Sequence, residues 1–243
     1  MQRPLGVRPK DAPALPPSAN VLIVCGLKRE AAILAGPGRT ALCGDAPTLR
    51  LRLAEAASLR PSLVVSWGLC GGLDPRLRPG DLILAKEVVS AEGAVRTGEA
   101  VTLSLAQRLG GAGARVVERL AASDAPVLTA AAKSELRSST GAAAVDMESL
   151  IAGQYALEQR VPFAILRAVA DPAERALPVL ALKAVAADGG VNVQAVIGEL
   201  IRSPSQFTGL QALAADSRAA FRALKRCRGL LPDLFLGLGA ADL

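Results

Sequence analysis

Short, continuous runs of apolar residues alternate with stretches of helical periodicity along most of the chain. Five apolar runs are typical of buried strands, at residues 21–25, 63–67, 82–89, 114–120 and 163–168. The remaining patterns predict helices, at residues 31–35, 47–59, 130–140 (with Thr129 as N-cap), 147–159, 178–187, 192–202 and 206–227. Because strands that alternate with helices form layered α/β folds, the pattern predicts a single three-layer α/β/α domain with a mixed, mostly parallel central sheet.

Polar residues or glycines follow three of the predicted strands. Glu30 follows the first strand, a glycine-rich turn at residues 68–72 follows the second, and Asp171 follows the last. In parallel α/β sheets, ligands bind beyond the carboxyl ends of the strands. Three distant segments of the chain therefore point to one site at one edge of the sheet.

The length of 243 residues suits one such domain with a full hydrophobic core. Residues 1–19 contain five prolines and no apolar stretch typical of a signal peptide, so they are expected to form a flexible lead-in. Residues 20–203 then form the domain, and residues 204–243 form a basic, amphipathic helical tail. No apolar run is long enough to span a membrane.

The chain contains no histidine, which excludes Ser-His-Asp and Cys-His catalysis and every histidine-ligated metal. Its four cysteines show neither a C-x-x-C pair nor a metal-ligand spacing, so no metal site is predicted. Free, buried cysteines are the expected state and fit a reducing cytoplasm. Any proton transfer must therefore use carboxylates, lysine, Tyr155, cysteine or water.

The net charge of +6 is concentrated in the tail. Between residues 202 and 228 there are six basic residues and one acidic residue, Asp216. Nucleic acid is disfavoured as a partner because aromatics make up only 2% of the chain and offer few stacking platforms. Two interpretations of the tail stay open: a helix packed on the core, or an interfacial helix on an anionic inner-membrane surface.

The carboxylates suggest the chemistry of the site. Asp146, Met147 and Glu148 lie at the mouth of a predicted helix, and Asp171 lies about one αβ unit later. Carboxylates at strand and helix ends, with an apolar side chain between them, suit a polar heterocycle joined to a sugar. The pattern indicates a nucleoside site.

Four motifs, at residues 25–30, 68–81, 145–148 and 167–171, make the chain resemble the nucleoside phosphorylase superfamily, close to its methylthioadenosine/S-adenosylhomocysteine nucleosidase branch. The resemblance extends over residues 21–201 and implies a nucleoside phosphorylase-like fold and a homodimer. The sequence at residues 170–178 and the basic tail are most similar to the hopanoid-associated phosphorylases. That subgroup implies removal of adenine from adenosylhopane to give a ribosyl-type hopanoid.

The resemblance implies a role for each site residue. Asp171 would protonate purine N7 as general acid, whereas its alternative role is a helix N-cap. Glu148 would accept hydrogen bonds from the ribose hydroxyls, or else complement a helix dipole. Met147 would pack on the sugar face or simply fill the core. The remaining substrate-binding candidates are Gly68, Leu69, Cys70, Gly71 and Arg167.

Glu30 bears on whether water or phosphate attacks the sugar. It matches the nucleosidase glutamate that activates water, although Lys28 and Arg29 precede it and could pair with an anion or form a surface ion pair with it. No cofactor is predicted, and phosphate is the alternative co-substrate. Phosphorolysis, methylthioadenosine/S-adenosylhomocysteine nucleosidase activity and a non-catalytic, membrane-docked nucleoside-binding scaffold are the competing functions.

Two departures from the nucleosidase pattern affect the expected substrate. Leu69 replaces a serine that the nucleosidases carry in the glycine turn. The arginine that follows the next strand in those enzymes has no clear counterpart after Ser90. Both changes favour a large apolar 5′ substituent on the adenine nucleoside. The backbone loop that recognises the base is expected near residues 127–133.

Overall fold

The computed structural model describes residues 20–178, 186–190 and 207–230. The predicted lead-in and the predicted helix at 192–202 lie outside these ranges, as does most of the predicted helix at 178–187. No helix within the described ranges is long and apolar enough to cross a membrane.

Within the described ranges, the fold contains eight strands and six α-helices. The strands are β1 Val21–Cys25, β2 Arg39–Cys43, β3 Leu63–Gly72, β4 Leu82–Ser90, β5 Gly93–Arg96, β6 Arg115–Ala122, β7 Ala144–Asp146 and β8 Phe163–Asp171. The helices are α1 Lys28–Leu34, α2 Ala46–Glu55, α3 Glu99–Leu109, α4 Ala130–Thr140, α5 Ser149–Gln159 and α6 Phe207–Leu230. Short 3₁₀ turns follow α2 and α3.

All eight strands belong to one mixed sheet. The apolar runs predicted β1, β3, β4, β6 and β8, whereas β2, β5 and β7 were not predicted. Parallel pairings join β1 to β2 and β3, β3 to β8, and β6 to β4 and β7. Antiparallel pairings join β3 to β7 and β4 to β5 and β8. Because β3, β8, β4, β6 and β7 pair in a ring, this part of the sheet closes on itself. The α/β fold with a mostly parallel sheet is confirmed, and the closure is a feature that the sequence pattern does not show.

The glycine-rich segment is not the turn that the sequence predicted. Residues 68–72 continue strand β3, which pairs with β8 and carries a bulge between Cys70 and Gly71. Gly68 has a φ of +145°, a backbone conformation open mainly to glycine. The prediction failed because glycines favour turns locally, whereas here β8 pairs with residues 68–71 and β7 pairs with residues 71–72.

The ends of two other elements differ from the predicted ones in a way that matters for the site. Asp171 is the last residue of β8 and does not follow it. Met147 and Glu148 precede α5, which begins at Ser149, so neither residue is part of the helix. The carboxylates of Asp171 and Glu148 therefore lie at the ends of secondary-structure elements, at one edge of the closed part of the sheet.

The tail helix α6 packs on the body of the domain. Its residues Ala220, Phe221, Leu224 and Cys227 are buried within the same hydrophobic cluster as the apolar side chains of β1, β3 and β8. The basic side chains of its opposite face are exposed, among them Arg218, Arg222 and Lys225. The packed interpretation of the tail is therefore the one observed for residues 207–230. All four cysteines are free and buried.

Candidate active site

A cavity of about 160 Å³ opens at the ends of β3, β7 and β8. Its lining combines three carboxylates and one lysine with mostly small or apolar residues. The lining residues are Leu69, Cys70, Gly71, Ala125, Pro126, Val127, Lys133, Val145, Asp146, Met147, Glu148, Ala170, Asp171 and Leu177. Four separate segments of the chain thus meet around one small, largely apolar space, which we call the site cavity.

Asp171 contributes a carboxylate to the site cavity and is paired with a buried cation. Lys133 of α4 forms an ion pair and hydrogen bond with Asp171 Oδ2. Only 9% of the Asp171 side chain and 1% of the Lys133 side chain are exposed. Burial raises the pKa of Asp171, and the Lys133 ammonium opposes this increase. Asp171 is therefore held in one place with a pKa above that of an ordinary aspartate.

Glu148 lies across the site cavity and is paired with Arg167 of β8. The Arg167 guanidinium is fully buried; its Nη1 lies 3.2 Å from Glu148 Oε2 and its Nε lies 2.6 Å from Asp146 Oδ2. Arg167 also donates hydrogen bonds to the side chain of Ser66 and to the backbone oxygen of Leu69. The Glu148 side chain is 16% exposed, so its carboxylate can reach a molecule in the site cavity.

Glu30 lies behind the site cavity and is almost completely buried. Its Oε1 accepts a hydrogen bond from the backbone N–H of Leu69 at 2.8 Å. Its Oε2 accepts from the backbone N–H groups of Gly26 and Leu27, at 3.0 and 2.8 Å. Glu30 thus places a carboxylate among three converging backbone N–H groups, an arrangement that binds anions well.

Three glycines allow the carboxylates to approach the backbone. A Cβ on Gly26 would lie 2.6 Å from Glu148 Oε1, and one on Gly68 would lie 2.7 Å from Glu30 Oε1. A Cβ on Gly71 would lie 3.2 Å from Asp171 Oδ2. Each candidate carboxylate therefore occupies space that a side chain would fill, which explains why glycine is needed at these positions.

The charges of the site do not balance when all of its acids are ionised. Asp146, Glu148 and Glu30 all interact with the single guanidinium of Arg167. Burial raises the pKa of Glu148 to about 8, with Arg167 opposing this increase and the nearby carboxylates adding to it. Burial also raises the pKa of Glu30. At neutral pH part of this cluster therefore carries a proton, which a substrate hydroxyl or a water molecule can exchange.

We expect the free energy of unfolding to fall as the pH rises from about 4.5 to about 8. Unfolded Glu148 loses its proton near its ordinary pKa of 4.5, whereas the folded protein retains it to about pH 8. Within this window the folded state binds more protons, so raising the pH favours unfolding. Urea denaturation at pH 5, 6, 7 and 8 measures the slope. In Glu148→Gln the slope should decrease, and an unchanged slope would show that another group causes it.

The structure brings together most of the residues that the sequence singled out. Asp171, Glu148, Met147, Leu69, Cys70 and Gly71 line the site cavity, as does Val127 of the expected base loop. Gly68, Arg167 and Glu30 lie beneath it, where Arg167 serves as counter-ion to the acids. Sequence reasoning missed the role of Lys133, because a lysine in an alanine-rich helix gives no sign that it is buried.

The described residues contain no group of three or more His, Cys, Asp or Glu side chains that could hold a metal ion. The groups that the site offers are carboxylates, the buried Lys133 and Arg167 side chains, and backbone N–H groups. A carboxyl of raised pKa can donate a proton, and an anionic partner can stabilise positive charge.

Comparison with known proteins identifies the class to which this fold and site belong. A match to the Phosphorylase superfamily covers residues 4–202, and the chain belongs to that superfamily. No curated protein matches the chain.

Solved structures with a similar fold are nucleosidases and a related hydrolase. One is a mutant methylthioadenosine/S-adenosylhomocysteine nucleosidase of Helicobacter pylori with 5′-methylthioadenosine in its active site; it is 13% identical, with a TM-score of 0.60 over 86% of this chain and 97% of that chain. Futalosine hydrolase from Helicobacter pylori is 14% identical, with a TM-score of 0.61 over 86% and 96%. A Colwellia psychrerythraea nucleosidase in complex with adenine is 16% identical, with a TM-score of 0.59 over 88% and 96%. At these identities the matches show a shared fold.

Proposed function

We propose that this protein is an N-ribosyl hydrolase that releases adenine from a nucleoside. The observation that carries the proposal is that Asp171 and Glu148, from distant segments, both line the site cavity, while Glu30 lies behind it and binds the backbone of the lining residue Leu69. Asp171 protonates N7 of the leaving purine, and Glu148 binds the ribose hydroxyls and, in its ionised form, favours positive charge on the sugar ring. The superfamily and the nucleosidases of similar fold support this assignment.

The surroundings of Glu30 support water as the nucleophile. Its carboxylate already accepts hydrogen bonds from the three backbone N–H groups that could otherwise bind a phosphate. The two neighbouring cations are engaged elsewhere: Lys28 forms an exposed ion pair with Asp188, and the Arg29 guanidinium lies 4.1 Å from the centre of the Phe221 ring. A buried carboxylate repels phosphate, and with its raised pKa it can accept a proton from water.

The apolar lining supports a substrate with an apolar 5′ substituent. Leu69 replaces the serine of related nucleosidases, and Val127, Met147 and Leu177 add apolar surface to the site cavity. Adenosylhopane, which the resemblance to the hopanoid-associated phosphorylases implies, is the proposed substrate. Methylthioadenosine and S-adenosylhomocysteine are the alternatives. A homodimer and contact of the basic face of α6 with anionic membrane also form part of this proposal.

The test is to incubate the full-length protein with adenosylhopane, methylthioadenosine or S-adenosylhomocysteine and to measure adenine. We expect adenine release at the same rate with and without phosphate. In water enriched in oxygen-18, mass spectrometry should find the heavy oxygen in the sugar product. A sugar 1-phosphate and a strict need for phosphate would instead show phosphorolysis. Binding of the nucleoside without any cleavage would indicate a scaffold.

A further inference from the structure

The side chain of Lys133 makes three polar contacts, all with oxygens of the protein. Its Nζ donates hydrogen bonds to Asp171 Oδ2, to the backbone oxygen of Pro172 at 2.8 Å and to that of Arg175 at 3.0 Å. An ammonium group has three N–H donors, and these contacts use all of them. Lys133 therefore joins helix α4 to the end of β8 and to the segment that follows it.

This geometry excludes a direct role for Lys133 in binding an anion. Its donors are already engaged, and only 1% of its side chain is exposed although the residue borders the site cavity. An influence on a bound nucleoside must pass through Asp171. Because Lys133 contacts Oδ2, the acidic proton of Asp171 belongs on Oδ1, and Oδ1 has no hydrogen-bond partner among the described residues.

We propose that Lys133 is a positioning residue for Asp171: it directs Oδ1 towards the purine and stabilises the carboxylate that forms when Asp171 gives up its proton. This inference rests on the proposed N-glycosidic cleavage. In that step the proton moves from Asp171 to N7, the bond between sugar and base breaks, and its electrons remain on adenine. Water adds its hydroxyl to the sugar carbon and gives its proton to Glu30, which then releases it to solvent, while Asp171 regains a proton from solvent.

Other groups near Asp171 have weaker or opposing effects. Asp216 of α6 raises the pKa of Asp171, whereas Arg175 lowers it and is itself paired with Asp216. Cys70 of β3 is a buried thiol whose pKa is raised well above its ordinary value, so it remains neutral. Lys133 is thus the one cation in direct contact with the Asp171 side chain among the described residues.

The first test compares Lys133→Met with the parent protein. Without the ammonium, Asp171 becomes a weaker acid, so kcat should fall by about tenfold to a hundredfold while KM changes little. The alkaline limb of the kcat/KM profile should move up by about one pH unit or more, because Asp171 then keeps its proton longer. A purely structural lysine would lower activity without moving this limb.

A matched control comes from the same helix. Arg137 lies one turn further along α4 and pairs with Asp74, outside the site cavity. Arg137→Met also removes a cation from α4, and it should leave both kcat and the alkaline limb unchanged. A similar shift in both variants would overturn the inference, since the effect would then belong to the helix and not to the contact with Asp171.

A second variant provides the test if Lys133→Met does not fold. Lys133→Gln keeps hydrogen-bond donors and loses the charge, so the alkaline limb should still move up. In an Asp171→Asn background, either change should cause no further loss of kcat, because the group that Lys133 serves is absent. Additive losses would show that Lys133 does not act through Asp171.

The contact can also be measured independently of activity. Carbon-13 NMR of the aspartate carboxyls, with Asp171→Asn to assign the signal, should give a higher pKa for Asp171 in Lys133→Gln than in the parent. An unchanged titration would overturn the inference even if the enzyme is active. Absence of adenine release by the folded parent would instead overturn the proposed function, and the NMR result would still decide whether Lys133 controls Asp171.

Discussion

Replacing Asp171 by Asn should reduce kcat for adenine release by about a hundredfold to ten-thousandfold, the usual contribution of a positioned general acid. The carboxamide keeps the size of the side chain and can still accept a hydrogen bond from Lys133, but it cannot deliver a proton to N7. Substrate binding should change much less than kcat, because the proposed contacts of Glu148 with the sugar remain. The measurement is steady-state kinetics of adenine release at several pH values.

A control variant and a measurement of stability complete this test. Asp124→Asn alters an exposed aspartate beside Ala125 of the site cavity, and it should retain the activity of the parent. Thermal unfolding of both variants shows whether any loss reflects folding, since Asp171→Asn leaves the buried Lys133 without its counter-ion. A folded Asp171→Asn protein with full activity would remove Asp171 from the mechanism.

Replacing Arg167 by Met should lower the free energy of unfolding by about 3–5 kcal/mol near pH 8, the range for breaking a buried ion pair on one side. Arg167 is fully buried, so its loss leaves Asp146 and Glu148 buried without a cation. Glu148, whose pKa burial already raises to about 8, reduces this cost by taking up a proton at lower pH. The loss should therefore be smaller at pH 5 than at pH 8, and urea denaturation at both values measures it.

The matched control for this prediction is an exposed ion pair. Lys86 and Glu118 pair on the surface, with 54% and 76% of their side chains exposed. Lys86→Met should change stability little at either pH, because solvent already screens that pair. An Arg167→Met protein as stable at pH 8 as at pH 5 would contradict the view that Arg167 neutralises the acids of the site.

Parts of the fold could be predicted because local signals agreed with tertiary packing. The apolar runs of β1 and β8 are buried along their whole length, as their composition predicts. Helix α4 has the predicted bounds, and Thr129 caps it by accepting a hydrogen bond from the backbone N–H of Ala132. In both cases the residues that determine the element lie within it.

Other elements could not be predicted because their stability comes from distant partners. Strand β7 has three residues and exists because β3 and β6 flank it. Strand β5 has four residues with one buried side chain, and it pairs with β4 in an antiparallel hairpin. The polar and small residues of these strands resemble those of a loop. Helix α3, residues 99–109, was missed although Val101, Leu105 and Leu109 are buried on one face.

The sequence by itself determined the superfamily, the α/β class and the carboxylates on which the proposed chemistry depends, because these follow from residue type and spacing along single segments. Only the tertiary structure decided that Lys133 pairs with Asp171 and that Arg167 neutralises Asp146 and Glu148. It also decided that Glu30 is enclosed by three backbone N–H groups. These properties depend on burial and on distances between segments far apart in the chain. Burial sets the proton affinity of an acid, and local sequence does not encode it.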